Sequence, residues 1–229
     1  SCVLLGGEPG AGKSTILLQT LCHMAQNETA LYVTGEESSQ QVAMRARRLD
    51  LPLDKLQIMT ETSVENICLV AKEKTPRLLV VDSIQVVHLE DITSAPGSVS
   101  QVRESAAALV RFAKQTNTIL IIVGHVTKDG TLAGPKVLEH MIDCSLMLEG
   151  RKDSQYRTLR GIKNRFGAVN ELGVFAMTER GLKGVPNPSA IFLQRNEEVS
   201  SGSIVVVIWE GTRPMLVELQ ALVDDSHSG

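Results

Sequence analysis

Residues 6–15 read GGEPGAGKST, and this stretch decides how the chain folds. It comes directly after an apolar run at residues 2–5, which predicts a short strand, and it opens a stretch over residues 12–25 that predicts a helix. Glycines allow backbone amides to close around phosphate oxygens, and the N-terminus of a helix adds positive potential. The stretch therefore predicts a nucleotide-phosphate loop. The fixed positions of its pattern, G-x-x-x-x-G-K-[ST], are Gly7, Gly12, Lys13 and Ser14.

Two side chains of this loop are suited to the chemistry of ATP and Mg²⁺. Lys13 offers a positive charge to the outer phosphates, and the hydroxyl of Ser14 is placed to hold the magnesium ion. A glycine-rich turn with a chance lysine is the alternative, but it does not account for the strand before the loop and the helix after it. The residues expected to bind ATP or ADP are Gly7, Glu8, Pro9, Gly10, Ala11, Gly12, Lys13, Ser14 and Thr15.

Apolar runs and helical stretches alternate through the first half of the chain. Continuous β-branched runs between helices are typical of a parallel sheet that is covered on both faces, so the expected fold class is α/β. The pair Ser38 and Gln41 forms a capping signal at the start of one helix. The further strands are predicted over residues 30–34, 56–59, 78–82 and 118–124, and the further helices over residues 38–49, 64–74 and 101–115.

The pattern changes from Cys144 onward. The runs SLMLEG, QYRTLRGIK and ELGVFAMT follow one another closely and predict antiparallel strands added to one edge of the sheet. Residues 204–223, IVVVIWEGTRPMLVELQALV, predict either a further hairpin or a connection to another domain. Because the chain begins inside a predicted strand, we expect it to be part of a longer protein.

The charge and composition restrict how the chain can bind nucleic acid. The 229 residues carry a formal charge of −3, and only 3% are aromatic. These values exclude a general attraction to nucleic acid and an extensive base-stacking platform, so any such binding has to be local. Residues 151–165 hold six basic residues against the single acid Asp153, which fits either a solvated strand face or a local binding surface.

The four cysteines are isolated and form no C-x-x-C pair. This spacing predicts free thiols rather than disulfides or a metal site, as is usual in a reducing cytoplasm. The apolar runs are too short to cross a bilayer, so we expect a cytoplasmic location and no membrane partner.

Charged or titratable residues follow three of the predicted strands, at the edge where parallel sheets bind ligands. Asp82 ends LLVVD, where we expect it to lie beside Ser14 and orient the metal; helix capping is the alternative. Glu36 and Glu37 follow ALYVT. An acid just ahead of a helix explains Glu37, which leaves Glu36 as the candidate general base. His125 follows TILIIVG and is either a satisfied buried histidine or a sensor of the γ-phosphate.

Several motifs together resemble the RecA-fold ATPase domain of the bacterial RadA (Sms) family of DNA repair proteins. They are GGEPGAGKST, YVTGEES, LLVVDSIQ, GHVTKDG, LAGPK, LEHMID and KNRFG. The resemblance covers residues 2–194, and KNRFG, at residues 163–167, is close to a signature of the family. It implies a RecA-like P-loop NTPase that forms a homohexameric ring. It further implies a DnaB-type branch-migration helicase that works beside RecA on single-stranded and branched DNA.

The same resemblance assigns roles to individual residues. Glu36 takes the place of the catalytic glutamate, Asp82 that of the Walker B acid and His125 that of the γ-phosphate sensor. Lys163 and Arg165 correspond to a finger, meaning cations that one subunit inserts into the nucleotide site of its neighbour. Two cations on a solvated strand end are the alternative.

The resemblance also implies where DNA binds. Residues 88–100 and 127–136 match the loops that face the central channel, and the expected DNA contacts are Lys128 and Lys136, with surface solubility as the alternative. Next to the finger, Phe166 is expected to pack and hold the strand end.

Residues 1–194 are expected to form the RecA-like ATPase domain, and residues 195–229 a linker and strands that lead toward an absent Lon-protease-like domain. The family's zinc module has no counterpart in the sequence, so no zinc is expected. A nucleotide-gated scaffold or switch with incidental ATPase activity fits the same motifs. A small-molecule kinase fits less well, because a monomeric kinase carries its cations on a lid in the same chain. The lysines in the loops that face the central channel favour a DNA motor, here the helicase, over the scaffold.

Overall fold

The computed structural model describes residues 1–125, 136–150, 154–169, 171–189, 202–210 and 213–221. In these residues the helices are α1 (Lys13–Met24), α2 (Ser39–Arg48), α3 (Val64–Lys74), α4 (Val99–Thr116) and α5 (Lys136–Glu139). The strands are β1 (Cys2–Gly7), β2 (Ala30–Thr34), β3 (Gln57–Thr60), β4 (Leu78–Asp82), β5 (Ile119–His125), β6 (Cys144–Glu149), β7 (Tyr156–Asn164), β8 (Leu172–Thr178), β9 (Gly181–Gly184), β10 (Ser203–Glu210) and β11 (Arg213–Gln220). The predicted strands and helices are all present, β2, α3 and β4 with the predicted ends and the others with slightly shifted ends, whereas α5 and β9 were not predicted.

Nine strands form one sheet in the order β3-β2-β4-β5-β1-β6-β7-β8-β9. The pairings among β1 to β6 are parallel and those from β6 to β9 are antiparallel, which confirms a mostly parallel α/β fold with antiparallel edge strands. The antiparallel strands predicted from Cys144 onward are confirmed, since β6 pairs antiparallel with β7, while the other edge of β6 pairs in parallel with β1. The short separation of β6 from β7 fits their antiparallel pairing, and the segment between β5 and β6 is long enough for a parallel crossover.

Helices cover both faces of the sheet, and the alternation of side chains along β4 shows how. Leu79 and Val81 pack with residues of α3 and α4, whereas Leu78 and Val80 pack with residues of α1 and α2. All four side chains are buried. This two-sided burial explains the continuous apolar runs and fixes the register of the central strands.

Serine caps begin three of the helices. The side chain of Ser38 accepts a hydrogen bond from the Gln41 amide, and the Gln41 side chain accepts one from the Ser38 amide, so the predicted capping signal of α2 is confirmed. The side chains of Ser63 and Ser98 likewise accept from the first turns of α3 and α4. Helix α1 differs, because its N-cap is Gly12 and no side chain caps it.

Strands β10 and β11 form a separate antiparallel sheet, which confirms the hairpin interpretation of this segment. Met215 of β11 packs against Leu172 and Val174 of β8, so the hairpin contacts the antiparallel edge of the main sheet. Across the described parts of the chain, we find no helix with both the length and the apolar character needed to cross a lipid bilayer.

All four cysteines are free thiols, as predicted. Cys2 and Cys22 are buried, and Cys68 and Cys144 are half-buried. Burial raises the pKa of the Cys22 and Cys68 thiols to about 11. Both thiols therefore stay protonated near neutral pH. They are unreactive in this form, because the thiolate is the nucleophile.

Candidate active site

Four parallel strands end together and bring the predicted site residues to one edge of the sheet. Gly7 of β1 lies opposite His125 of β5, and Thr34 of β2 lies opposite Asp82 of β4. Glu36 follows two residues after Thr34. Because the four strands run in the same direction, their carboxyl ends border the crevice in which open α/β sheets bind ligands.

The loop between β1 and α1 is a turn that depends on glycine. The Ala11 amide donates to the Glu8 carbonyl oxygen at 3.1 Å. Gly12 has a φ of 106°, which residues with side chains rarely adopt, and a Cβ atom there would lie 2.9 Å from Cε of Met177. Of the predicted nucleotide-binding residues, Glu8, Pro9 and Gly10 are exposed, Gly12, Ser14 and Thr15 are half-buried, and Gly7, Ala11 and Lys13 are buried.

The Lys13 side chain folds back over this loop. Its Nζ donates to the carbonyl oxygen of Gly7 at 2.7 Å and to that of Glu8 at 3.0 Å. Because an ammonium group has three donors, one remains for a phosphate oxygen. Burial lowers the pKa of Lys13, and the charges of Asp82 and Glu36 offset part of this effect.

Asp82 links the loop to the central sheet, as the sequence predicts. Its Oδ2 accepts one hydrogen bond from Oγ of Ser14 at 2.8 Å and another from the hydroxyl of Tyr32 at 2.7 Å. Asp82 is buried, so its charge needs such partners. Since Ser14 gives its proton to Asp82, the lone pairs of its oxygen remain available to coordinate a cation.

Glu36 lies at the same edge of the sheet. Its Oε1 accepts a hydrogen bond from Oγ of Ser83 at 2.7 Å and lies 3.2 Å from Nε2 of His125. Burial acts to raise the pKa of Glu36, but the contacts with Ser83 and His125 and nearby positive charge outweigh it, so the pKa lies below its ordinary value. The adjacent Glu37 forms an ion pair with Arg45 of α2. Glu36 is therefore ionised at neutral pH, whereas Glu37 is engaged with its own helix.

These residues fit a magnesium nucleotide. Mg²⁺ prefers oxygen ligands and keeps several of its waters, and the site offers the hydroxyl oxygen of Ser14 and the carboxylate of Asp82. Phosphates would meet Lys13 and the first amides of α1, which no side chain caps. With Glu36 close by, the arrangement can hold phosphates and a cation and can orient a water molecule.

Lys163 and Arg165 lie outside this crevice. Strand β7 is antiparallel to β6, so the end of β7 lies beside the start of β6. Nζ of Lys163 donates to the carbonyl oxygens of Glu139 and Ile142, and Nη1 of Arg165 donates to Oδ1 of Asp143 at 3.2 Å. Both cations thus face the same segment, in agreement with the two-residue spacing.

The turn that carries these cations exposes its aromatic residue. Phe166 is 73% exposed, so the prediction that it packs to hold the strand end is wrong. Asn164 holds the turn instead, because its Oδ1 accepts from the Phe166 amide at 3.1 Å and its Nδ2 donates to the Ala168 carbonyl at 3.3 Å. With both of its amide ends used in this way, Asn164 fixes the turn without help from the phenyl ring.

The predicted DNA contacts are only partly within the described chain. Lys128 lies outside the described residues, and Lys136 begins α5 but its side chain is outside them too. The other predicted DNA loop, before α4, is anchored by the buried Gln101, whose Nε2 donates to the carbonyl oxygens of Ile92 and Ser94.

Sequence reasoning missed two residues that hold the acids of the site, Tyr32 and Ser83. Tyr32 lies two residues before Thr34, the partner of Asp82 across β2 and β4, so it shares the sheet face of Asp82. A tyrosine in a wholly buried strand needs a partner for its hydroxyl, and this signal was available in the sequence. Ser83 follows Asp82 directly, but nothing in its position indicated a contact with Glu36.

Comparison with known proteins identifies relatives over the whole chain. The family described as AAA domain matches residues 1–131. Over 226 residues the chain is 68% identical to the DNA repair protein RadA of Escherichia coli (strain K12), an alignment that covers 99% of this chain and 49% of that protein. The chain spans about half the length of the curated relatives it matches.

Two solved structures share the fold. The KaiC-like protein PH0186 from Pyrococcus horikoshii OT3 has a TM-score of 0.68 and 20% identity, covering 81% of this chain and 89% of that one. A second structure, described as an ATPase domain, has a TM-score of 0.69 and 13% identity, covering 80% of this chain and 84% of that one. The chain therefore belongs to the AAA domain family, with a RecA-like fold, and over nearly its whole length it is similar to the bacterial RadA proteins.

Proposed function

We propose that the protein is a Mg²⁺-dependent ATPase that acts in the cytoplasm as a DNA motor, a branch-migration helicase of the DnaB type. The observation that carries the ATPase part is the Glu36 carboxylate, which Ser83 and His125 hold at the same sheet edge as the phosphate loop. In ATP hydrolysis the attacking water molecule has to be oriented and has to lose a proton. A fixed carboxylate beside the bound phosphates can orient the water and accept that proton.

Each polar side chain of the crevice then has a task. Lys13 would bind the outer phosphates, and Ser14 and Asp82 would hold the magnesium ion. The ion, when bound, neutralises charge on the phosphates. Glu36 takes the proton of the attacking water. His125 lies at the end of β5 and contacts Glu36. It senses the γ-phosphate and passes this signal to the loop that follows β5.

The position of the finger supports hydrolysis between subunits of a homohexameric ring. Asp143, the partner of Arg165, also accepts a hydrogen bond from the amide of Cys2, the first residue of β1. The phosphate loop begins after Gly7, at the other end of the same strand, which is about 16 Å away at about 3.3 Å per residue. This separation from the phosphate loop of their own chain supports a role for Lys163 and Arg165 at the nucleotide of another copy, where a finger contributes roughly 10³–10⁵ in rate.

Exposed apolar surface beside the finger supports the same assembly. Ile162, Phe166 and Val169 are all exposed in and around the KNRFG turn. Clustered exposed apolar residues are typical of surfaces that another molecule covers. A second copy seated on this turn would cover them while it received Arg165 at its nucleotide.

Similarity to DNA repair proteins supports a role on DNA. The Escherichia coli relative is described as a DNA repair protein. We assign single-stranded and branched DNA as the substrate, RecA as a partner, and Lys128 and Lys136 as contacts to the phosphate backbone of DNA.

ATP hydrolysis measured with and without single-stranded DNA tests this proposal. A motor should turn over faster with DNA, and Lys128→Ala and Lys136→Ala should each lower the stimulation without changing the DNA-free rate. Glu36→Gln should bind nucleotide yet hydrolyse it about 10²–10⁴-fold more slowly. A rate that ignores DNA in protein that still forms rings would contradict the motor and favour the nucleotide-gated scaffold.

A further inference from the structure

We infer that Tyr32 is a positioning residue for the magnesium site, because its buried hydroxyl fixes the Asp82 carboxylate so that one oxygen is occupied and the other serves the cation. This inference rests on the proposed nucleotide function and concerns residues of the chain itself. It assigns a task to the first residue of YVTGEES, a tyrosine that lies outside the phosphate loop.

The hydroxyl of Tyr32 has one described hydrogen-bond partner, the Asp82 carboxylate. Tyr32 is 0% exposed, belongs to the same core cluster as Leu18 of α1, and lies opposite Val80 of β4. Its hydroxyl donates to Oδ2 of Asp82 at 2.7 Å. A buried hydroxyl without a partner is destabilising, so this contact is a fixed part of the core.

Two separate elements hold the same carboxylate oxygen. Among the described hydrogen bonds, both that the Asp82 side chain accepts end on Oδ2, one from Tyr32 on β2 and one from Ser14 on α1. Rotation of the carboxylate would break both. A carboxylate has two oxygens, so this division leaves Oδ1 with the capacity to accept hydrogen bonds from metal-bound water.

The direction of the Tyr32 hydrogen bond is also fixed. The phenol donates this hydrogen bond, because an ionised carboxylate offers only acceptors. A neutral donor of this kind orients the carboxylate without competing with Mg²⁺ for it, as a nearby cation would.

Packing alone does not require the hydroxyl, because a phenylalanine ring would fill the same space. Tyr32→Phe therefore separates positioning from packing. Tyr156→Phe is the matched control: it removes the hydroxyl of the chain's other tyrosine, which lies on β7 and for which the structure describes no hydroxyl hydrogen bond.

The test is the binding of a fluorescent ADP analogue to the protein as Mg²⁺ is titrated. For Tyr32→Phe we expect the Mg²⁺ concentration at half-maximal binding to rise about 10- to 100-fold, the usual effect of removing a group that orients a metal ligand. Nucleotide affinity in EDTA should match that of Tyr156→Phe, and unfolding should stay cooperative with a thermal midpoint lowered only by the loss of one buried hydrogen bond.

An unchanged Mg²⁺ midpoint in Tyr32→Phe would overturn the inference. So would an equal loss of nucleotide affinity with and without Mg²⁺, or the loss of cooperative unfolding, because either result makes the hydroxyl a general structural group. If the unsubstituted protein and Tyr156→Phe also bind nucleotide without any response to Mg²⁺, the proposed function fails together with the inference. If the unsubstituted protein and Tyr156→Phe respond to Mg²⁺ and only the shift expected for Tyr32→Phe is missing, the inference fails and the proposed function stands.

Discussion

The two partners of the Asp143–Arg165 ion pair should contribute very unequally to stability. Asp143 is 7% exposed, and its Oδ2 accepts from the Cys2 amide at 2.9 Å while its Oδ1 accepts from Arg165 at 3.2 Å. The Arg165 side chain is 49% exposed. The acid thus secures a buried backbone group, whereas the arginine adds only a solvated ion pair.

The magnitudes follow from these contacts. Arg165→Ala removes an exposed ion pair, which is worth about 0–1 kcal/mol in the free energy of unfolding. Asp143→Ala removes the same pair and also leaves the Cys2 amide without its acceptor, which costs about 1–3 kcal/mol more. Asp143→Asn keeps an oxygen for the amide and should fall between the two.

Urea-induced unfolding followed by circular dichroism measures these differences, provided the transition is two-state. The reasoning is refuted if Arg165→Ala destabilises the protein as much as Asp143→Ala does. Arg165 would then be a structural cation of its own chain. A small loss means that the arginine can leave Asp143 at little cost and reach a neighbouring nucleotide, as the proposed function requires.

Gly12→Ala should weaken binding of a fluorescent ADP analogue about 5- to 150-fold, because it combines a φ of 106° with a clash and such strain costs of order 1–3 kcal/mol. Gly184→Ala, whose added Cβ would meet nothing within 4 Å, is the control and should bind as the unsubstituted protein does. Ser83→Ala should move the acid limb of the pH–rate profile to higher pH. It removes a hydrogen bond that lowers the pKa of Glu36 from its ordinary 4.5, so the active carboxylate is protonated earlier as the pH falls; an unmoved limb would argue against Glu36 as the base. Cys22 is buried and its pKa is raised to about 11, so Ellman's reagent at about pH 8 should label it only after unfolding, and equal rates in native and urea-unfolded protein would contradict the burial.

Much of the fold follows from patterns that lie close together in the sequence. The phosphate loop, the capping pair at Ser38 and the apolar runs each depend on neighbouring residues, and each predicted its element correctly. Local patterns also explain why Asp82 was expected beside Ser14. Asp82 ends one buried parallel strand, Ser14 comes shortly after another, and the carboxyl ends of parallel strands meet at one edge of the sheet.

The parts that sequence reasoning did not predict depend on contacts between distant segments. Strand β6 is close to β7 along the chain, yet its parallel partner is β1, which only the crossover after β5 determines. The contact of Ser83 with Glu36 joins residues 47 positions apart. The exposure of Phe166 follows from Asn164, which holds the turn and removes the need for packing. Local periodicity carries no information about such pairings.

Hydrolysis of ATP between subunits can be tested by mixing two inactive variants. Glu36→Gln lacks the base and Arg165→Ala lacks the finger, so each alone should be nearly inactive in ATP hydrolysis with single-stranded DNA. In rings formed from equal amounts of both, about one quarter of the interfaces join an intact Glu36 to an intact Arg165. If a finger acts across the interface, the mixture should recover activity in proportion to those interfaces. Persistent inactivity, in rings that light scattering and differential labelling show to contain both variants, would contradict it.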